Sequence, residues 1–330
     1  MPIKKIGSPH PKYLAATDII ISDMSNINYD FLLFNRPIIL LANEWLIKNY
    51  PDIGVKTDLD NLENAIKRSV EYPDEFKEQR VYWHKKTMNQ PDGKSSERVL
   101  NAIIQYSKVE NPTFILLHGN NEVMKVHLDP LYDVIKGRNF KVVFISDFRN
   151  YNLPESNNEI FISAHNELLQ EIPFGFRVHI DHSVKGIGVT DFENQILQFK
   201  EANYFQNTDL HITEGEVSFE KTKKCLGPFG DRAVMVGYPK SDELIRLNNK
   251  DNRKSVFDEL GFNYEKLLIT YAPTGKYSYP FKQGASLSND VLRKLSQIAD
   301  KNDYNILIKL RSHETFFKKL TKKVKSILNK

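Results

Sequence analysis

Ten short, β-rich apolar runs alternate with helix-patterned stretches along this chain, and that alternation is the feature that most limits its fold. They are Asp18 to Ser22, Pro37 to Leu41, Thr113 to Leu117, Lys141 to Ser146, Glu159 to Ser163, Phe176 to Ile180, Leu210 to Thr213, Ala233 to Val236, Leu267 to Tyr271 and Asn305 to Lys309. Continuous apolar runs of this length, separated by helices, read as strands buried on both faces of a parallel sheet rather than as parts of a sandwich or a bundle. At 330 residues, 40% of them hydrophobic, the chain is long enough for about two domains. The expected class is therefore α/β, as two Rossmann-like doubly wound parallel-sheet lobes.

Segment boundaries follow from composition. Asp60 to Tyr106 is helical in pattern, interrupted at Asn89-Gln90-Pro91-Asp92-Gly93-Lys94, and it ends in the polar connector Ser107 to Pro112. A second polar stretch, Arg246 to Asp251, precedes a helical pattern over Arg253 to Leu260. These breaks divide the chain into residues 1–106, a central lobe of 111–249 and a closing piece of 250–330.

Charge and cysteine content exclude several classes. With 46 basic against 42 acidic residues, the net charge of +4 is too balanced for a nucleic-acid binder. The single cysteine, Cys225, allows no internal disulfide and no cysteine-cluster metal site, so a reducing cytoplasm is the expected setting. No signal-peptide pattern opens the chain and no apolar run approaches the roughly 18 residues that span a bilayer. The stretch Phe317 to Lys330 sets Phe317, Leu320, Val324 and Leu328 at helical spacing among lysines, a surface helix whose basic face also suits an anionic membrane.

Chemistry-bearing residues gather just after the strands, where open α/β sheets place their ligands. His182-Ser183-Val184-Lys185-Gly186 follows the Phe176 to Ile180 run, and both a ligand-facing histidine and a loop histidine bonded to a neighbouring carbonyl fit that position. Thr274 and Lys276 follow another strand in Tyr271-Ala272-Pro273-Thr274-Gly275-Lys276, which lacks the P-loop spacing. In Lys309-Leu310-Arg311-Ser312-His313 the basic residues recur at every second position, so in extended chain they share one side, as an anion site or a solvated edge. In Ile21-Ser22-Asp23-Met24-Ser25-Asn26 a strand empties into a polar helix start, where unpaired N–H groups near Asn26 to Asn28 suit a phosphate beside Ser25 and Asn26, and Asp23 suits a cap or a hydroxyl. The carboxylates Asp23, Asp30, Asp181 and Asp242 lie on different loops, with no metal-ligand spacing among them.

Taken together, these loops resemble the CDP-glycerol glycerophosphotransferases, the teichoic-acid polymerase and primase group of two-lobed GT-B enzymes. The family's I-T-D-Y-S-S…F-D-F…D-R-P-I-I element is similar to Ile21 to Asn26, Tyr29-Asp30-Phe31 and Asn35-Arg36-Pro37-Ile38-Ile39. Its H-G-T-P-x-K-x-x-G loop resembles His182 to Gly188, and its G-Y-P-R-x-D turn resembles Gly237-Tyr238-Pro239-Lys240-Ser241-Asp242. Its Y-A-P-T-W-R resembles Tyr271 to Lys276, and its D-G-x-x-S-x-R resembles Asp92 to Arg98. Departures stand at Met24, Asn26, Ser183, Gly275 and Lys276, and at Arg311, which takes the place of the histidine in the family's K-L-H-P.

The resemblance implies transfer of glycerol phosphate, or a related polyol phosphate, from CDP-glycerol to a hydroxyl of a polyol-phosphate or lipid-linked acceptor. On the residues themselves no cofactor, metal or nucleic acid is expected, and the expected protein is cytoplasmic, with the basic Phe317 to Lys330 stretch as a candidate contact for the inner membrane face. His182 would act as general base, with Arg311 and His313 at the diphosphate. Asp23, Ser25, Asn26, Asp30, Arg36, Thr274, Lys276 and Lys309 would bind the donor; Ser183, Lys185, Gly186, Tyr238 and Asp242 would face the acceptor. A GT-B glycosyltransferase or sugar-nucleotide enzyme, and a non-catalytic incomplete unit, are the alternatives. The motif order differs from the family's: the element usually last opens this chain. A circular permutant, or a slice of a longer chain carrying parts of two units, would each produce that order, and a permutant requires 1–106 to complete the lobe begun by 250–330.

Overall fold

A computed structural model describes residues 3–6, 11–23, 25–41, 48–119, 122–147, 149, 158–181, 207–273 and 289–309. The chain forms two compact units, residues 1–83 with 247–330 and residues 84–246. Each is built on a six-stranded, wholly parallel sheet, as the apolar runs predict.

The first sheet takes strands from both ends of the sequence. They are β1 (Ile3–Ile6), β2 (Ile19–Ser22), β3 (Ile38–Leu41), β4 (Val55–Thr57), β11 (Leu268–Tyr271) and β12 (Asn305–Lys309). Their order is β1-β12-β11-β2-β3-β4. Read from β11 through β12 and on to β1, β2, β3 and β4, the order is 3-2-1-4-5-6, that of the dinucleotide-binding fold. The central pairing sets Ile269, Thr270 and Tyr271 opposite Ile19, Ile20 and Ile21. The three isoleucines are at most 2% exposed, and burying each contributes about 1.5–3 kcal/mol relative to leaving it in water.

Helices cover both faces of this sheet. On one face, α3 (Leu62–Glu71) and α11 (Asn289–Asn302) bring Leu62, Ile66, Leu295 and Ile298 against Ile21, Ile39, Ile269 and Ile308. On the other, α1 (Pro11–Ala16) and α10 (Lys250–Leu260) close over Leu268 and Leu307 with Ala16, Val256 and Phe257. Polar ties fix the β2 entry against the distant chain. Asp18 accepts from the Leu268 N–H at 2.8 Å and pairs with Arg253 at 2.9 Å, while Arg253 also donates to the Ala16 carbonyl at 2.8 Å. The Thr17 and Thr270 hydroxyls meet at 2.6 Å, and Glu259 takes both Lys12 and the Tyr13 hydroxyl at 2.6 Å.

The second sheet contains β5 (Thr113–Leu117), β6 (Lys141–Ile145), β7 (Glu159–Ser163), β8 (Phe176–Ile180), β9 (Leu210–Thr213) and β10 (Ala233–Met235). Its order, β6-β5-β7-β8-β9-β10, is 2-1-3-4-5-6, the other common doubly wound arrangement with one strand added. Helices α5 (Ser95–Ser107) and α6 (Glu122–Gly137) pack on one face through Val99, Leu100, Ile103, Leu128, Leu131 and Ile135. The short α7 (Asn166–Gln170) lies on the other, where Leu169 meets Ile115, Leu117 and Phe161.

Two of the family-like motifs interlock in this unit. Asp242, in α9 (Pro239–Leu247), accepts from the Ser95 and Ser96 N–H groups at 2.9 and 2.7 Å and so caps α5, whose own N-cap residue Lys94 makes no side-chain cap. Arg98 donates to the Val236 carbonyl at 2.8 Å, the Gln90 carbonyl at 2.7 Å and the Asp92 carboxylate at 2.8 Å. Gly237, at φ +105°, sits so close that a Cβ there would lie 2.8 Å from Ser95 Oγ.

Three outcomes follow. Arg98→Ala leaves two carbonyls without their donor and lowers the denaturant stability of the second unit by about 2–3 kcal/mol, and Arg98→Lys recovers little because it lacks the planar fork. Gly54→Ala, whose Cβ would fall 1.9 Å from the Ile38 carbonyl oxygen, unfolds the first unit or destabilises it by about 3 kcal/mol or more, read by chemical denaturation. Lys301 of α11, with Lys67, holds the Glu63 carboxyl down at about 2. Because the folded value is depressed, this contribution is present above the ordinary glutamate range near 4.3 and is lost as pH falls towards 2. Glu63→Gln therefore flattens the acid limb of the stability profile over that window.

Candidate active site

All strands of the first sheet are parallel, so their carboxyl ends share one edge, and the direction in which strands are added reverses between β11 and β2. Such a reversal leaves a crevice between the loops that follow the two strands. The ladder continues past β11, with the Ala272 N–H donating to the Ile21 carbonyl at 2.8 Å. Ser22-Asp23 and Ala272-Pro273 therefore leave the sheet side by side, although some 250 positions separate them in the sequence. On the far side of β11, Tyr271 pairs with Ile308, so Lys309 flanks Ala272. At about 4.8 Å per strand, Lys309 and Asp23 stand roughly 10 Å apart along this edge.

Most of the loop from β2 is out of solvent: Ser22, Asp23, Ser25, Asn28 and Asp30 are at most 8% exposed, while Asn26 is exposed. Asn26 occupies the N-cap of α2 (Ile27–Leu32) without a side-chain capping bond. This helix has six residues, so its N-terminal partial charge is weaker than the sequence pattern alone suggests. The loop is shaped from within instead. The Ser22 hydroxyl donates to Asn28 Oδ1, and Asn28 Nδ2 donates to the Asp23 carbonyl at 2.8 Å and to the Tyr50 hydroxyl at 3.3 Å. Burial pushes the Tyr50 phenol up to about 12, and the nearby Asp23 charge adds to that shift. Tyr271 is pushed well above its ordinary value by burial first and by the same carboxylate second, so Asp23 is felt on both sides of β2, at β11 and in the segment beyond β3.

Other residues expected at a site have defined structural partners. Arg36 donates from Nη1 to the Ala15 and Thr17 carbonyls at 2.7 and 2.6 Å and from Nη2 to Asn248 at 2.7 Å, clasping the turn into β2. Tyr238 meets His127 Nδ1 at 2.5 Å through its hydroxyl, and Asp242 caps α5. Asp30 lies buried in the first turn of α2 and Lys309 is partly buried at the end of β12. His182, Ser183, Lys185, Gly186, Thr274, Lys276, Arg311 and His313 lie outside the described residues. Just before His182, Asp181 is buried and donates its N–H to the Ile212 carbonyl at 2.9 Å. His179 lies 3.9 Å from the Asp181 carboxylate, with its ring 5.6 Å from that of His211. Among the described residues no group of three or more histidine, cysteine or acidic side chains is placed to hold a metal, and Cys225 is a buried thiol.

Sequence reasoning placed Asn28 only at the phosphate-suited helix start and missed its inward side chain, and it passed over Tyr50 and Arg80. The Arg80 guanidinium, 1% exposed, donates to the Asn35 side chain at 2.9 Å and to the Pro73 carbonyl at 2.8 Å. An asparagine inside α2, where Ile27 through Leu32 are all buried, was the available signal for Asn28.

No curated protein and no solved structure matches the chain significantly. The model of the family described as CDP-Glycerol:Poly(glycerophosphate) glycerophosphotransferase matches residues 9–105 and 176–326. These segments contain both loops of the β11/β2 crevice and both interlocked motifs, and they span most of the chain. With that coverage, and with two doubly wound lobes beneath it, the chain belongs to the CDP-glycerol:poly(glycerophosphate) glycerophosphotransferase family.

Proposed function

We propose that this protein transfers glycerol phosphate, or a related polyol phosphate, from a CDP-activated donor to a hydroxyl acceptor in the synthesis of a teichoic-acid or similar cell-surface polymer. The observation that carries the reading is the β11/β2 crevice, where the Ser22-Asp23 and Ala272-Pro273 loops leave the sheet as neighbours. Family membership supports a nucleotide-activated donor and a hydroxyl acceptor in general.

In this reading the donor's diphosphate lies at the carboxyl edge of β2, β11 and β12, near Lys309 and the Thr274 to Lys276 loop. The acceptor oxygen attacks the phosphorus that bears glycerol. Its new P–O bond forms as the bridging P–O bond to CMP breaks, and His182 takes the hydroxyl proton, which a pKa near neutrality permits. Arg311, His313 and Lys276 neutralise charge on the departing CMP, since phosphoryl transfer asks a protein chiefly for positioning and charge stabilisation. These roles require no cofactor. Among the described residues no helix is long and apolar enough to cross a membrane. The proposed setting is the cytoplasm, with the basic Phe317 to Lys330 stretch meeting the inner membrane face and a lipid-linked acceptor held there.

The purified chain, given CDP-glycerol and a polyol-phosphate acceptor, should release CMP. His182→Ala and Arg311→Ala should each lower that rate by about 10²-fold or more with the fold retained. Unchanged CMP release by His182→Ala would remove the base assignment. Turnover of UDP-sugars in place of CDP-glycerol would replace the reading with glycosyl transfer.

A further inference from the structure

Asn28 is completely buried on a helix whose neighbouring positions, Ile27 and Tyr29, are also buried. An apolar side chain would satisfy such a position without the desolvation cost of an amide. The amide's bonds go neither to its own helix nor to a strand ladder. Oδ1 takes the Ser22 hydroxyl at the last residue of β2, and Nδ2 reaches the Asp23 carbonyl at 2.8 Å and the Tyr50 hydroxyl at 3.3 Å. This pattern fixes the amide's orientation, because the flipped form would set Oδ1 against the Asp23 carbonyl. A single side chain thus spans the strand end, the first loop residue and the segment beyond β3.

The carbonyl that Asn28 holds belongs to Asp23, whose side chain is 5% exposed and whose charge raises both Tyr50 and Tyr271. Holding that carbonyl inward sets where the Asp23 side chain leaves the backbone, at the point where the β2 and β11 loops part. We propose that Asn28 is a positioning residue for the nucleotide crevice, fixing Ser22 and Asp23 at the end of β2 so that a CDP moiety meets a preformed surface. It acts through the loop and does not touch the ligand. The inference rests on the donor reading above, and Tyr50, at the longer bond, serves as its internal control.

The test is calorimetric titration of the full chain with CDP, for the unaltered protein, Asn28→Leu, Asn28→Asp and Tyr50→Phe, with thermal unfolding and amide hydrogen exchange on each. Asn28→Leu keeps the γ-branched outline, though with greater bulk, and carries no buried charge, so it remains informative if Asn28→Asp does not fold. The expected result is CDP affinity weakened tenfold or more by either Asn28 substitution and changed less than threefold by Tyr50→Phe, although all three lower the unfolding temperature. A folded Asn28→Leu protein with unaltered CDP affinity overturns the inference, since a purely structural role moves stability alone. If the unaltered chain binds no CDP, the donor reading falls by itself. Exchange of the amides in 22–26 then decides the inference: faster in Asn28→Leu than in Tyr50→Phe supports it, and equal rates overturn it.

Discussion

The parallel pairing of β11 with β2 is the contact on which the rest of the first unit depends. It joins residues near position 20 to residues near position 270, and without it neither the six-stranded sheet nor the crevice at its carboxyl edge exists. Closing a loop of that length carries a large entropic penalty, which grows only slowly with length. The offset comes from three isoleucines buried on two faces and from polar ties that would be left unsatisfied if the strands parted: Asp18 with the Leu268 N–H and Arg253, and Thr17 with Thr270. The β1 to β12 pairing extends the same sheet with a second join between early and late sequence.

That sheet gives physical content to the unusual motif order. Sequence places the Ile21 to Asn26 element first and the Leu267 to Lys276 element late, yet in space the two strands are neighbours in register. Entered at β11, the strand order is 3-2-1-4-5-6, and strands from early and late sequence form one sheet. Two of the remaining motifs have a different task. Asp92 to Arg98 and Gly237 to Asp242 lock to each other through a cap, a guanidinium and a glycine contact, so resemblance to a family motif at Asp242 reports on packing as well as on chemistry.

Much of the fold was legible because strands buried on both faces are written as continuous apolar runs. All ten runs are strands, within a residue or two of the expected limits. The two strands that were not visible have ordinary reasons: Ile3–Ile6 carries two lysines in four residues on a sheet edge, and Val55–Thr57 has three residues around a lysine. The site was less legible. A sequence shows that Arg36 is charged but not that two backbone carbonyls and Asn248 surround it, and it shows a polar step at Ser22 to Asn28 but not that Asn28 turns inward. Partners distant in sequence decide such roles, and residue type carries no record of them.

The central claim is that the crevice between the β2 and β11 loops holds the nucleotide. A crystal structure of the chain with CDP tests it most directly. The account predicts the diphosphate at the carboxyl edge between Ser22-Asp23 and Ala272-Pro273, with Lys309 on the same side. CDP bound to residues 84–246 alone, or bound on either face of the first sheet away from that edge, would contradict it.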